Sequence, residues 1–157
     1  MSRIRDLSTF NAVRTAGLAK LLPARPRIAV GMGTCGAGNG AEGVFNALAD
    51  AIHARGLDVS LVRTGCFGFC AEEPLVNVWI PGMPLVILHR VRADQIGQIL
   101  DGLAAHVVPE TLALCKIESW DHLTGQVSYG HGFPSIPNWN EIPFFQGQVK
   151  VVMRDCG

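Results

Sequence analysis

Apolar positions along this chain fall into runs of two different periods. Ala12, Val13, Ala16, Leu18, Ala19, Leu21 and Leu22 predict a helix, with Ser8 or Asn11 as its cap and Pro23 and Pro26 opposing its continuation. Arg27 to Val30 reads as a buried strand that runs straight into the glycine-rich stretch Gly31 to Gly40. Val44, Phe45, Leu48 and Ile52 then recur at helical spacing, which predicts a helix over 41–55 with Gly56 as its stop. Leu57, Val59 and Leu61 alternate with other residues as on one face of a strand. Two further apolar runs, Leu75 to Ile80 and Leu85 to Leu88, flank Pro81-Gly-Met-Pro84 and predict an antiparallel hairpin. Asp94 is a candidate cap for a helix carrying Ile96, Ile99, Leu100 and Leu103 to about Ala105.

The order strand, helix, strand, loop, hairpin, helix predicts an α/β fold. Its first two strands should be parallel and joined by a right-handed crossover. A mixed four-stranded sheet with covering helices is the thioredoxin-like arrangement. Three regions follow: an N-terminal helix and linker over 1–26, the α/β domain over 27–106, and an arm over 107–157. The arm is expected to be irregular and extended, because Pro134, Pro137 and Pro143 bias their predecessors away from helix. Only Val149 to Met153 suggests a strand there. Trp120, Tyr129, Phe133, Trp139, Phe144 and Phe145 give the arm much aromatic surface, part of which should fold back on the domain and part of which should meet a partner.

Composition sharpens this picture in two respects. Thirteen basic residues balance thirteen acidic ones, so no charge excess points to nucleic acid or to an anionic membrane surface. No apolar run approaches the roughly 20 residues that span a bilayer, and no signal-peptide core follows Arg3, Arg5 and Asp6. The expected location is therefore cytoplasmic, without membrane insertion. Five cysteines in a reducing compartment point to metal or redox use more than to a disulfide frame.

The chemistry concentrates in Arg63-Thr-Gly-Cys-Phe-Gly-Phe-Cys-Ala-Glu-Glu-Pro74, a loop between two apolar runs. Cys66 and Cys70 stand there among glycines that let backbone N–H groups turn inward, and Cys35 lies in the earlier loop Gly33-Thr-Cys-Gly-Ala-Gly-Asn-Gly40. Grouped thiolates on glycine-rich loops hold soft metals or iron–sulfur clusters. Both loops leave the carboxyl ends of strands expected to be adjacent and parallel, where ligands of open α/β sheets gather. Cys115 in Leu112-Ala-Leu-Cys-Lys116 reads instead as a small core hydrophobe, and Cys156 as structural. Glu72 and Glu73 read as surface charges beside the loop, and the five histidines as solvated or locally hydrogen-bonded. Gly36, Gly38 and Gly40 lack the spacing of a dinucleotide fingerprint.

Arg27-Ile-Ala-Val-Gly-Met-Gly-Thr-Cys-Gly36, Val62-Arg-Thr-Gly-Cys-Phe-Gly-Phe-Cys-Ala-Glu-Glu-Pro-Leu-Val76 and Pro81-Gly-Met-Pro84 together resemble the thioredoxin-like [2Fe-2S] ferredoxin module. That module occurs as a small complex I subunit and ahead of the flavin-binding subunit in NAD-linked hydrogenases and formate dehydrogenases. The tail, Pro143-Phe-Phe-Gln-Gly-Gln-Val-Lys-Val-Val-Met-Arg-Asp-Cys-Gly157, resembles the segment that opens the flavin-binding domain of those subunits. The resemblance implies an electron-transfer module of an NADH-oxidising flavoprotein, with a [2Fe-2S] cluster on Cys35, Cys66 and Cys70. It implies FMN and NAD on a partner flavin-binding domain or subunit, and other iron–sulfur subunits in the same complex. The family's first cysteine position falls here on Gly31 or Val30, so the fourth ligand is missing.

Two other readings stay open. The module is a cluster-free structural and docking domain of the same flavoprotein, or it is a thioredoxin-like dithiol oxidoreductase. Against the latter, three residues separate Cys66 and Cys70, and the pair follows the second strand. As an electron-transfer module of an NAD(P)H-linked oxidoreductase, the chain is not expected to be catalytic alone.

Overall fold

The computed structural model describes residues 3–66, 68–120, 127–128 and 132–149. Helix α1 (Leu7–Leu21) comes first and is capped by Asp6, whose carboxylate accepts the Thr9 N–H at 2.7 Å. The cap thus lies upstream of Ser8 and Asn11, because the short Asp6 side chain reaches the free amides of the first turn. None of the helix's residues is buried, and Leu7, Phe10 and Val13 are exposed.

Strand β1 (Arg27–Gly31) and β2 (Ser60–Thr64) pair in parallel, Arg27 opposite Ser60 and Gly31 opposite Thr64. Between them run the one-turn helix α2 (Thr34–Gly38) and helix α3 (Ala41–Arg55). Gly56 closes α3 in the left-handed conformation at φ 61°, which is why the stop signal was legible. Leu57 and Val59 pack against the core as their alternation required, although strand geometry begins only at Ser60. Arg63 of β2 bonds Glu42 of α3 at 2.7 Å and lies over the Phe45 ring, tying helix to strand.

Strands β3 (Val76–Trp79) and β4 (Leu85–Leu88) form the expected antiparallel hairpin, and β3 also pairs antiparallel with β1. Helix α4 (Ile96–Ala104) follows a short 3-10 turn over Ala93–Gln95. Asp94 does not cap it: its carboxylate is held by the Arg92 guanidinium, while Gln95 Oε1 accepts the Arg92 N–H at 2.9 Å.

The sheet has five strands where four were expected. Strand β5 (Ala113–Ile117) pairs antiparallel with β4, giving the order β2-β1-β3-β4-β5. Its residues do not alternate between apolar and polar because both of its faces are covered. A separate two-stranded pair joins β6 (Ser119–Trp120) to β7 (Val127–Ser128).

Alternation along the strands builds two cores. Ile28, Val30, Val76, Val78, Val86 and Leu88 pack with Val44 and Leu48 of α3 and Ile99, Leu100 and Leu103 of α4. The register aligns Ala29, Asn77, Ile87 and Cys115 across the opposite face. There Leu75, Ile87, Cys115 and Phe145 form a second cluster, joined by Phe69, Trp139 and Ile142. The arm crosses the β5 edge to reach it. Lys116 donates its backbone N–H to Pro137 at 2.9 Å, and its buried Nζ donates to the carbonyls of Gly132 and Phe133. Ile136 sits in the first cluster and Phe145 in the second, so the arm wraps the sheet edge. The strand suggested over 149–153 lies almost wholly outside the described residues, as do Tyr129 and Cys156.

Candidate functional site at the ends of the parallel strands

The two cysteine loops leave β1 and β2 side by side. Met32 N–H donates to Thr64 O at 2.9 Å and Gly31 N–H to Leu75 O at 2.9 Å, so the sheet ladder extends to the base of both loops. Glycines then allow the loops to touch. A methyl group on Gly33 would stand 2.7 Å from Cys66 Cβ, and one on Gly36 would stand 2.5 Å from Gly31 O. Gly33 therefore sets the spacing between loops, and Gly36 sets how tightly α2 folds back on β1.

The three cysteines named from the sequence meet here. Cys70 interacts through its thiol with the thiols of both Cys35 and Cys66. Cys66 Sγ accepts the Gly68 N–H at 3.2 Å. A one-turn 3-10 helix over Cys70–Glu72 closes the loop. The thiols thus form a chain, and among the described residues no three or more His, Cys, Asp and Glu side chains are drawn round one point as a closed metal cage.

The electrostatics favour the neutral thiol at Cys66 and at Cys70. Burial, helped by Cys70 and Glu73, pushes the Cys66 thiol up, and the neighbouring Cys35 thiol, together with Glu73, does the same for Cys70. An attacking dithiol needs a depressed pKa, so the dithiol oxidoreductase reading loses ground. Soft thiolate–metal bonding does not require it, because a metal ion itself drives the proton off.

Glu73 is not a surface charge. It is 7% exposed; Oε2 accepts the Leu75 N–H at 2.8 Å, and Oε1 is buried without a hydrogen-bond partner. Burial raises its pKa against the opposing effect of the Leu75 amide. Its carboxylate lies against the β1 end, about where a side chain on Gly31 would point: both oxygens are 3.4–3.5 Å from that position. The sequence carried no signal for this, since Glu73 differs from Glu72 only by its place before Pro74. Glu72 has the opposite environment. Burial alone would raise its pKa, but His89 Nδ1 and the Arg90 guanidinium at 2.9 Å outweigh it and hold the carboxyl below its usual range.

Phe144 and Phe145 of the arm reach this loop. Phe69, between Cys66 and Cys70, stacks on Phe144 with ring centroids 3.9 Å apart, and meets Phe145 edge-on at 5.4 Å. Phe145 in turn stacks on Trp139 at 3.5 Å. Cys115 lies beneath, fully buried, its thiol pushed up to about 12 by burial. It takes no part in the thiol chain, as its apolar sequence setting indicated.

No protein-family model matches the sequence, and no curated protein matches it. Among solved structures, the thioredoxin-like [2Fe-2S] ferredoxin of Aquifex aeolicus is similar over 59% of this chain and 98% of its own, with TM-score 0.53 and 21% identity. A second structure of that ferredoxin gives TM-score 0.52 and 21% identity over 92% of its length. A weaker likeness, TM-score 0.44 at 17% identity, falls on an NAD+-reducing [NiFe]-hydrogenase and covers 24% of that chain. The fold is the thioredoxin-like ferredoxin fold, carrying a fifth strand and a wrapped arm.

Proposed function

We propose that this chain is an electron-transfer module whose thiol chain, Cys35–Cys70–Cys66, holds a [2Fe-2S] cluster. The observation that carries this reading is the meeting of two glycine-rich loops, and of all three thiols, at the carboxyl ends of β1 and β2. The fold shared with [2Fe-2S] ferredoxins supports it. Three soft thiols are donors that an iron–sulfur centre uses, and beside them one buried carboxylate oxygen has no hydrogen-bond partner. When bound, such a cluster accepts and passes on one electron at a time. The protein's part is to hold the thiols, to keep water from one side with Phe69, Phe144 and Phe145, and to set the local field through Glu72 and Glu73.

In this reading the electrons come from a flavin on a partner domain that also binds NAD, as the resemblance of residues 143–157 implies, and the complex is of the NADH dehydrogenase type. Among the described residues no helix is long and apolar enough to cross a membrane. Anaerobic purification or iron–sulfide reconstitution tests the proposal. A reddish-brown protein with visible charge-transfer bands and an electron paramagnetic resonance signal on reduction is expected. A colourless protein with freely titrated thiols after reconstitution would overturn it and leave the cluster-free docking role.

A further inference from the structure

Setting the local field does not account for one feature of Glu73, its buried carboxylate oxygen without a hydrogen-bond partner. Proteins rarely keep a buried carboxylate oxygen without a hydrogen-bond partner, because desolvating it costs more than most substitutions would save. Glu73 Oε1 is such an oxygen, on a residue that is 7% exposed. Among the described residues, buried polar atoms of Arg27, Glu118 and Asn138 also lack partners, but of these groups Glu73 alone lies beside the cysteines.

The local backbone aims the carboxylate. The 3-10 turn Cys70–Glu72 reverses the chain immediately after Cys70, and the Leu75 N–H fixes Oε2 at 2.8 Å, leaving Oε1 free. The group then lies under the loop leaving β1, 3.4 Å from the place of a Gly31 side chain and 3.1 Å from that of Gly36. A cysteine side chain projected from Gly31 would enter the same space. The charge of Glu73 also reaches the thiols of both Cys66 and Cys70.

We infer that Glu73 is the fourth protein ligand of the centre held by Cys35, Cys66 and Cys70, its Oε1 replacing the thiolate that no residue of the β1 loop supplies. This inference rests on the cluster-holding reading above. Carboxylate oxygen is a competent donor to iron, and a three-thiolate, one-carboxylate set keeps the formal ligand charge of four thiolates. It also gives the orphaned oxygen its partner.

The test compares the full chain with Glu73→Gln, Glu73→Cys and the double variant Gly31→Cys/Glu73→Gln after anaerobic iron–sulfide reconstitution. Far-UV circular dichroism checks folding, visible spectra report the ligand set, and transfer of iron to a chelator reports retention. Glu73→Gln should release iron at least about tenfold faster than the unmodified chain, the scale on which loss of a supporting group weakens a metal site. Glu73→Cys should retain the cluster with its visible bands shifted toward the all-thiolate pattern. A Cβ on Gly31 would stand 3.4 Å from Glu73 and Leu75, at the edge of ordinary van der Waals contact, so the double variant should regain retention. A coloured unmodified chain whose spectrum and iron release are unchanged in folded Glu73→Gln would overturn the Glu73 assignment and leave the cluster reading standing. A folded double variant that fails to regain retention also counts against it. Colourless protein in every variant, Glu73→Cys included, would overturn both readings together.

Discussion

Gly33 and Gly36 do at this site what no other residue type can, because their missing Cβ atoms are what let two loops and a helix approach. The added methyl of Gly33→Ala would stand 2.7 Å from Cys66 Cβ, a backbone-anchored atom that cannot swing aside without moving its loop. Gly33→Ala should therefore push the loop carrying Cys66 and Cys70 away from Cys35. The expected result is slower disulfide formation between Cys35 and Cys70 or Cys66 under mild oxidant, with global stability lowered by about 1–3 kcal/mol as for other overpacked sites. Retained cross-linking would show that the loops tolerate the shift. Cys115 makes a second residue-scale prediction. Its thiol titrates near 12 when folded, against 9.0 for a free thiol, so the fold favours the neutral form. That contribution is whole below about pH 9 and fades as pH rises toward 12. Between about pH 8 and about pH 10.5 the loss attributable to this group is ~2 kcal/mol. Urea unfolding of the native chain and of Cys115→Ala at both pH values checks it. The alanine variant should be less stable at the lower pH, with the gap narrowing at the higher.

At the scale of elements, the segment over 139–146 acts as a lid on the second face of the sheet. Phe145 is buried among Leu75, Ile87 and Cys115 and contacts Phe69 in the cysteine loop. Removing its ring takes away both the packing and the contact. Phe145→Ala should cost about 3 kcal/mol, as large-to-small changes at buried aromatic positions do. It should also speed alkylation of Cys66, whose loop loses a wall, more than that of Cys35. Equal acceleration at both cysteines would mean that the variant loosens the whole fold and not the lid. Helix α1 contrasts with this segment. It buries no residue on the domain, although Leu7, Phe10 and Val13 are apolar. Its stability comes from the Asp6 cap and local propensity, so it contributes little to the domain's core.

For the whole molecule, Lys116 is the fastening that decides whether the arm is part of the fold. It lies on an edge strand, is 4% exposed, and donates to three arm carbonyls: Pro137 from its backbone, Gly132 and Phe133 from Nζ. Lys116→Met keeps the backbone bond and most of the volume but leaves two part-buried carbonyls without that donor. The expected destabilisation is about 1.5–3 kcal/mol, the range for hydrogen bonds involving a charged group. Limited proteolysis should show cleavage within residues 127–138 before any within 27–105. Simultaneous cleavage of both regions would mean that the arm and the α/β domain unfold as one unit.

Much of this architecture was written in local pattern. The helix over 41–55 and its stop at Gly56, the parallel strand pair, the hairpin and the helix after it all follow from apolar period and turn chemistry, which act between near neighbours. The meeting of Cys35, Cys66 and Cys70 was legible for the same reason: once two adjacent strands run parallel, the loops at their ends must lie together. Strand β5 was not legible, because a strand covered on both faces has no alternation, and its pairing partner lies far back along the chain. The same holds for Lys116, which reads as a solvated charge until the arm's carbonyls are brought around it. Glu72 and Glu73 are adjacent and chemically identical in sequence. Only the turn after Cys70 sends one outward to His89 and Arg90 and the other inward beneath the β1 loop. Sequence alone determined which elements form and which thiols share an end of the sheet, since those are matters of period and connectivity. Tertiary structure decided which polar groups are buried, what the arm covers and where Glu73 points, since burial depends on segments that meet only after the chain has folded.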